Sequence, residues 1–302
     1  MIADRPLFGI LLMIGFCALA PVGDGIAKLL GETIPLVQLV TVRFTAQVLF
    51  LAPIIYFSKR PIGMSRRLFM LTVLRTILHI IGIGAMFTSL RFLPLADALA
   101  IAFVMPFIML LLGRMVLGEE VGPRRLIACA VGFIGTLLVI QPSFAAVGAP
   151  ALLPLLVAFV FSLFMLVTRH IAKETDPIGL QLVSGIQATV MLALILVATA
   201  GSDLPGTNLV MPSTRDALLL LAIGIIGTLA HLLMTWSLRF APSATLAPIQ
   251  YLEIPFATVI GWLIFKDLPN GLAALGIAIT MGAGLYVVFR ERAIAQPVPP
   301  ET

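Results

Sequence analysis

Ser89-Leu90-Arg91-Phe92-Leu93-Pro94 returns as Ser237-Leu238-Arg239-Phe240-Ala241-Pro242, 148 residues later. Shorter echoes accompany it. Ile26-Ala27-Lys28 recurs as Ile171-Ala172-Lys173, and Glu32-Thr33-Ile34-Pro35 as Glu174-Thr175-Asp176-Pro177. The chain is therefore a tandem of two related halves, each almost wholly apolar. If each half holds an odd number of membrane-crossing helices, the copies insert in opposite directions. A substrate site is then expected between them, at the bilayer midplane.

The bulk composition excludes a soluble globule. Of 302 residues, 60% are hydrophobic and 11% charged, with a mean hydropathy of +1.13; soluble domains carry about 25% charge. The net charge of +5 sits in short loops. It reads as a topology signal and not as nucleic-acid binding. Cys17 and Cys129 each lie in an apolar run, which suits small buried hydrophobes and makes neither a metal spacing nor a structural disulfide. Residues 7–20 mimic a signal peptide up to Ala18-Leu19-Ala20. The weak positive start and Pro21 after the would-be cut argue for a retained first span instead.

A bilayer-spanning helix needs about 20 mostly apolar residues. Ten segments qualify: 7–29, 35–57, 68–89, 95–116, 123–141, 150–170, 178–200, 216–238, 243–265 and 271–289. The breaks carry Pro, Gly, Asn or charge, as in Lys59-Arg60-Pro61-Ile62-Gly63. The fold class is thus an all-α polytopic membrane protein with ten transmembrane helices in a five-plus-five inverted repeat. The first repeat covers 1–145 and the second 146–292. Residues 293–302 read as a disordered tail. With the N-terminus inside, thirteen Lys and Arg fall on the cytoplasmic side and four on the other, so both termini are expected in the cytoplasm. Arg91 and Arg239, equivalent in the repeat, then lie on opposite sides, as inversion requires.

Several stretches resemble the drug/metabolite transporter superfamily in its ten-helix EamA-type branch. In the first half these are Pro94 to Gln141, with Ala102-Phe103-Val104-Met105-Pro106-Phe107 and the Gly118-Glu119-Glu120 turn. In the second they are Ala247-Pro248-Ile249-Gln250-Tyr251-Leu252-Glu253-Ile254-Pro255-Phe256-Ala257-Thr258 and Gly284-Leu285-Tyr286. Asp24-x-x-x-Lys28 followed by Pro35-x-x-Gln38-x-x-x-x-Arg43 is similar to a bacterial sub-branch of riboflavin, S-adenosylmethionine and metallophore carriers. The resemblance implies a bacterial inner-membrane carrier whose site is built from helices 3, 4, 8 and 9, lined by 1 and 6. Lys266-Asp267 departs from the family's usual Gly-Glu, and Pro255 adds a second proline beside Pro248.

An ionisable group at bilayer depth costs about 2.5–3.5 kcal/mol on insertion scales, so such groups face protein or a wet cavity. Asp24 and Lys28, spaced i,i+4, can pair near an interface or contact cargo at a gate. Arg43 lies roughly 12 Å into the second span. It reads as a structural Arg on carbonyl ends or as an anion contact. Arg75 and His79 share a face of the third span, and Arg75 is close enough to its end to snorkel. His231 on the eighth span occupies nearly the place of His79 in the repeat, which raises a shared cavity role. Asp97 opens the fourth span and reads as a gate or structural charge. Glu253, mid-span between Gln250 and Pro255, is the sharpest candidate. It is either a substrate or proton group beside a loosened turn, or a neutral carboxyl bonded to a neighbour. Among the aromatics, Phe103, Trp236 and Tyr251 are the cavity candidates able to stack on a flat ring. The expected substrate contacts are therefore His79, Phe103, His231, Trp236, Gln250, Tyr251 and Glu253.

No Walker loop, His-Glu-x-x-His or Gly-x-Ser-x-Gly motif is present. No catalytic residue, cofactor or metal is expected. The partners expected are a small-molecule substrate, the lipid bilayer and protons as a candidate coupling ion, with a monomer or weak homodimer as the assembly. A secondary carrier is the leading reading, ahead of a facilitative channel and an intramembrane enzyme. The resemblance makes riboflavin uptake the best single guess, with an exporter or exchanger of amino-acid-like, S-adenosylmethionine-like or metallophore cargo as the alternative.

Overall fold

Apolar runs become helices between the Pro, Gly and charged breaks that bound them. The computed structural model describes residues 5–119, 121–139, 148–202, 204–266 and 271–295. In the first half, α1 is Pro6–Leu30, α2 Leu36–Ser58, α3 Arg66–Ser89, α4 Leu95–Ala102, α5 Met105–Leu117 and α6 Pro123–Val139. A short 3-10 turn, Ala149–Leu152, leads into the second half. There α7 is Leu153–Ala172, α8 Pro177–Ala198, α9 Thr214–Phe240, α10 Ser243–Gln250, α11 Glu253–Phe265 and α12 Gly271–Ala295. Caps fix several starts. Ser65 accepts from Leu68 N–H and Ser213 from Asp216 N–H, while Asp176 accepts from Ile178 and Gly179 N–H ahead of Pro177.

Counting α4–α5 and α10–α11 as one span each, eight spans among the described residues are long and apolar enough to cross a bilayer. The helices α6 and α12 complete the ten-span order. Outward faces leave Leu49 69%, Leu194 63% and Met115 79% exposed, apolar surface suited to lipid and not to water. One boundary differs from the sequence reading. The last helix continues to Ala295, so 293–295 are helical and not tail. The junction of the two repeats, residues 140–147, lies outside the described residues, as do Glu120, Asp267 and 296–302.

Packing follows the repeat. The first helix packs on α9 and, equivalently, α3 packs on α7; α2 meets α8 and α6 meets α12. The recurrent Arg explains the motif. Arg91 Nη2 donates to Ile34 O (3.1 Å), and Arg239 Nη1 donates to Thr175 O (2.6 Å), each tying a turn to the connection between the first two helices of its own half. The two copies sit at opposite ends of the bundle. Arg5 N–H donates to Phe240 O (2.7 Å) at the end where the chain begins, while Arg91 belongs to the end that holds residues 30–36.

The fourth span, read from sequence as continuous, and the ninth, read with a loosened turn before Pro255, are each interrupted. The pieces Leu95–Ala102 and Met105–Leu117 match Ser243–Gln250 and Glu253–Phe265 residue for residue at the 148 offset. At the breaks the chain tightens to i→i+3 bonds: Phe103 N–H to Ala100 O (3.2 Å) and Leu252 N–H to Ile249 O (3.0 Å). Pro106 and Pro255 follow closely and withhold a donor from the next turn. Both spans end in the left-handed region, at Gly118 (φ 64°) and Lys266 (φ 61°). Lys266 therefore adopts the conformation a glycine takes in the first half, at a cost of about 1–2 kcal/mol.

Candidate functional site

A cavity of about 90 Å3 lies between the halves, beside the break in the ninth span. It has room for several waters. Its lining includes the aromatic rings of Phe16, Phe87, Phe103 and Phe161 and the polar groups of Asp24, Arg43, His231 and Glu253. The two sets adjoin: the His231 ring lies 5.9 Å from both Phe16 and Phe161. Each half contributes to both sets. Glu253 opens α11 and is 5% exposed. No hydrogen bond to its carboxylate, or to that of Asp24, is formed among the described residues. Carboxyls at this depth are expensive, and both of these border the cavity, which has room for water.

Arg43 is 3% exposed and lies with Cζ 5.0 Å from the Phe44 ring centroid. Its Nη1 has no hydrogen-bond partner among the described residues. The bland expectation of a guanidinium spent on carbonyl ends is not the arrangement found. Arg43 fits against α9 because position 227 is glycine: a Cβ there would lie 2.9 Å from Nε and Nη2.

The two histidines meet. His79 Nε2 and His231 Nε2 are 3.1 Å apart, so one ring donates and the other accepts. His79 stacks on Phe164 at 4.5 Å and meets Phe44 edge-on at 5.2 Å. Only His231 borders the cavity; His79 stands behind it. Both Nδ1 atoms are buried without hydrogen-bond partners among the described residues.

Arg75 does not snorkel. It is fully buried, donating from Nε to Thr168 Oγ1 and from Nη1 to Ser184 Oγ, both at 2.8 Å, with Cζ 4.5 Å from the Phe164 ring. These hydroxyls and the ring face give the cation partners inside the bundle, which removes the reason to reach for water. Nor do Asp24 and Lys28 act as a pair. Asp24 turns into the cavity, while Lys28 Nζ donates to Leu93 O (3.0 Å) and lies 4.9 Å from the Phe265 ring. Asp97 sits in the first turn of α4, away from the cavity.

Besides His79, three further residues expected at the site lie elsewhere. Tyr251 donates its hydroxyl to Cys129 O (3.1 Å) and fills the space over Gly132. Gln250 is buried with Nε2 on Met109 Sδ (3.3 Å). Trp236 packs beside a separate cluster of Leu51, Ile55, Ile178, Leu182 and Leu232. The sequence reading also passed over a buried amide seam. Gln47 Nε2 donates to Gln181 O (2.6 Å), and Gln181 Nε2 to His231 O and Thr235 Oγ1, both at 3.0 Å. Extending the desolvation argument from charged to neutral polar residues inside spans would have found it. Among the described residues no group of three or more His, Cys, Asp or Glu could hold a metal.

Known proteins share this plan. Residues 7–141 and 149–290 each match the EamA-like transporter family. A riboflavin transporter of Rhizobium johnstonii is 30% identical over 217 residues, 72% of this chain and 69% of the relative. A riboflavin transporter of Brucella anthropi is 27% identical, over 74% of this chain and 78% of the relative. An S-adenosylmethionine uptake transporter of Rickettsia prowazekii is 22% identical, over 90% and 89%. A crystal structure superposes with a TM-score of 0.71 at 17% identity, covering 95% of this chain and 98% of the other, which attests the fold. Two inverted five-helix repeats enclosing a cavity, each matched separately by the same family, make this chain a member of the EamA-like transporters.

Proposed function

We propose that the protein is a bacterial inner-membrane secondary transporter that takes up riboflavin by alternating access, with both termini in the cytoplasm. The observation that carries this reading is the cavity between the repeats, lined by both aromatic rings and polar groups. Its four phenylalanines suit a flat ring system, and Asp24, Arg43, His231 and Glu253 offer acceptors and donors to a polar ring edge. The riboflavin transporters among the relatives support the same cargo. The cavity is too small for a three-ring molecule in this state, so loading requires the halves to part. Thirteen inner against four outer Lys and Arg support the orientation. The cargo is then held by both halves at once, and protons are the candidate coupling ion through Glu253.

A second reading rests on charge. Two carboxylates face one guanidinium in the cavity, which favours a zwitterion with excess positive charge, such as S-adenosylmethionine. Purified protein in liposomes separates the two. Saturable uptake of labelled riboflavin, competed by unlabelled riboflavin and not by S-adenosylmethionine, is the expected result. Uptake of S-adenosylmethionine alone would replace the first reading with the second, and transport of neither would reject both.

A further inference from the structure

At the end of the bundle that holds Arg5, one side chain of the first half binds the second. Glu119 follows α5. Its Oε1 accepts from Ser243 N–H (3.1 Å) and from Arg169 Nε (3.2 Å). Its Oε2 accepts from Ala244 N–H (3.0 Å) and from the Ser243 hydroxyl. Arg169 Nη1 in turn donates to Leu238 O (2.7 Å), at the C-terminal turn of α9. A carboxylate from residue 119 thus sits on the start of α10, more than 120 residues away in the chain, where the helix dipole favours it. That half-helix runs directly to the break before Glu253.

Two further observations give this contact a role in opening. Gly113 leaves room for it: a Cβ there would lie 2.8 Å from Ser243 Oγ and 2.9 Å from Glu119 Oε2. The cavity also lies away from this end. On α3 it reaches only Gly82, Ile83, Met86 and Phe87, near the opposite terminus of the helix. The central cavity does not reach the Glu119 end, where a separate pocket is lined by Arg114, Gly118, Glu119, Val121 and Gly122.

We propose that Glu119 is a gating residue: its bonds to Ser243, Ala244 and Arg169 hold α5 and α10 together and shut the cavity at this end. The proposal rests on the alternating-access reading above. Passage of cargo through this end requires the carboxylate to leave the start of α10. The charge-assisted bonds make that separation unfavourable without cargo, and removing the charge shifts the resting population toward the state open at this end.

The test uses the full chain with Cys17 and Cys129 replaced by alanine and one cysteine placed at Ala20, which borders the cavity. A membrane-impermeant maleimide is applied to each face in turn. A separate cysteine at Gly63 identifies the Glu119 face, because Arg60 and Asp176 pair there (2.8 Å). The readout is the ratio of labelling rates, Glu119 face over opposite face. Glu119→Gln is expected to raise it about tenfold. Gly113→Ala keeps every charge while pushing the latch apart, and is expected to raise it too. The proposal stands if both variants raise the ratio and fails on any other pattern, including a rise from both faces together, which would mark a loosened fold. No cargo enters the assay, so its failure is distinct from failure of the riboflavin reading.

Discussion

Gly227→Ala is expected to disable transport through Arg43. The added Cβ would stand 2.9 Å from Arg43 Nε and Nη2 and 3.1 Å from Cζ. Relaxed contacts need about 3.5–4.0 Å, so the guanidinium must retreat by roughly 0.5–1 Å. The Phe44 ring limits its retreat along α2, which leaves the cavity as the open direction. The empty cavity can take the displaced guanidinium at little cost, whereas crowding it against bound cargo is overpacking of about 1–3 kcal/mol. If that cost falls on the cargo-bound state, uptake drops by about tenfold for each 1.4 kcal/mol. The assay is initial uptake in liposomes, normalised to inserted protein, for the wild type, Gly227→Ala, Arg43→Ala and the double variant. Damage acting through the guanidinium cannot be inflicted twice. In the Arg43→Ala background the alanine at 227 should therefore cost little more, giving a clear interaction energy. Losses that multiply as independent effects would refute the reasoning and make Gly227 a packing residue only.

Three other outcomes are expected. Glu253→Gln keeps shape and hydrogen bonding while removing titration; it should insert normally, lose proton-driven accumulation and retain exchange, and unchanged transport at every pH would make Glu253 structural. Gly132→Ala puts a Cβ 2.6 Å from the Tyr251 ring and should lower thermal stability by about 1–3 kcal/mol, a loss that Tyr251→Ala relieves in the double variant; an unshifted melting curve in detergent would contradict the packing. A cysteine at Gly63 should react with impermeant reagent only from the cytoplasm and one at Gly206 only from outside, and the reverse would overturn the orientation.

The spans and their inversion were legible because they rest on length, apolarity and the repeated Ser-Leu-Arg-Phe, features that depend little on tertiary contacts. The break in the fourth span was not. Phe103-Val104 carries no turn residues, and the tightening shows only once Pro106 and the partner half are in place. Within the site, nearness in sequence to a polar residue was a poor guide. A helix turns about 100° per residue, so Gln250 and Tyr251 could not both share the face of Glu253, and Trp236, five positions after His231, points elsewhere. Asp24 and Arg43 were read as gate or structural charges because their depth was judged along single helices. The cavity they border exists only between several.

The paired contacts of the two halves bear on energetics. When every major helix contact has a counterpart under the repeat, exchanging the conformations of the halves conserves most of the buried surface. Two end states of that kind are nearly isoenergetic. The tilt between them then comes from positions where the repeat is imperfect. Ser237 Oγ reaches across to Gly9 O (2.7 Å), whereas its equivalent Ser89 turns back to Met86 O (2.8 Å) in its own helix. Met105 stands where Glu253 stands in the other half. Such mismatches lie on identifiable residues, so the direction in which the resting protein faces is a property adjustable one side chain at a time.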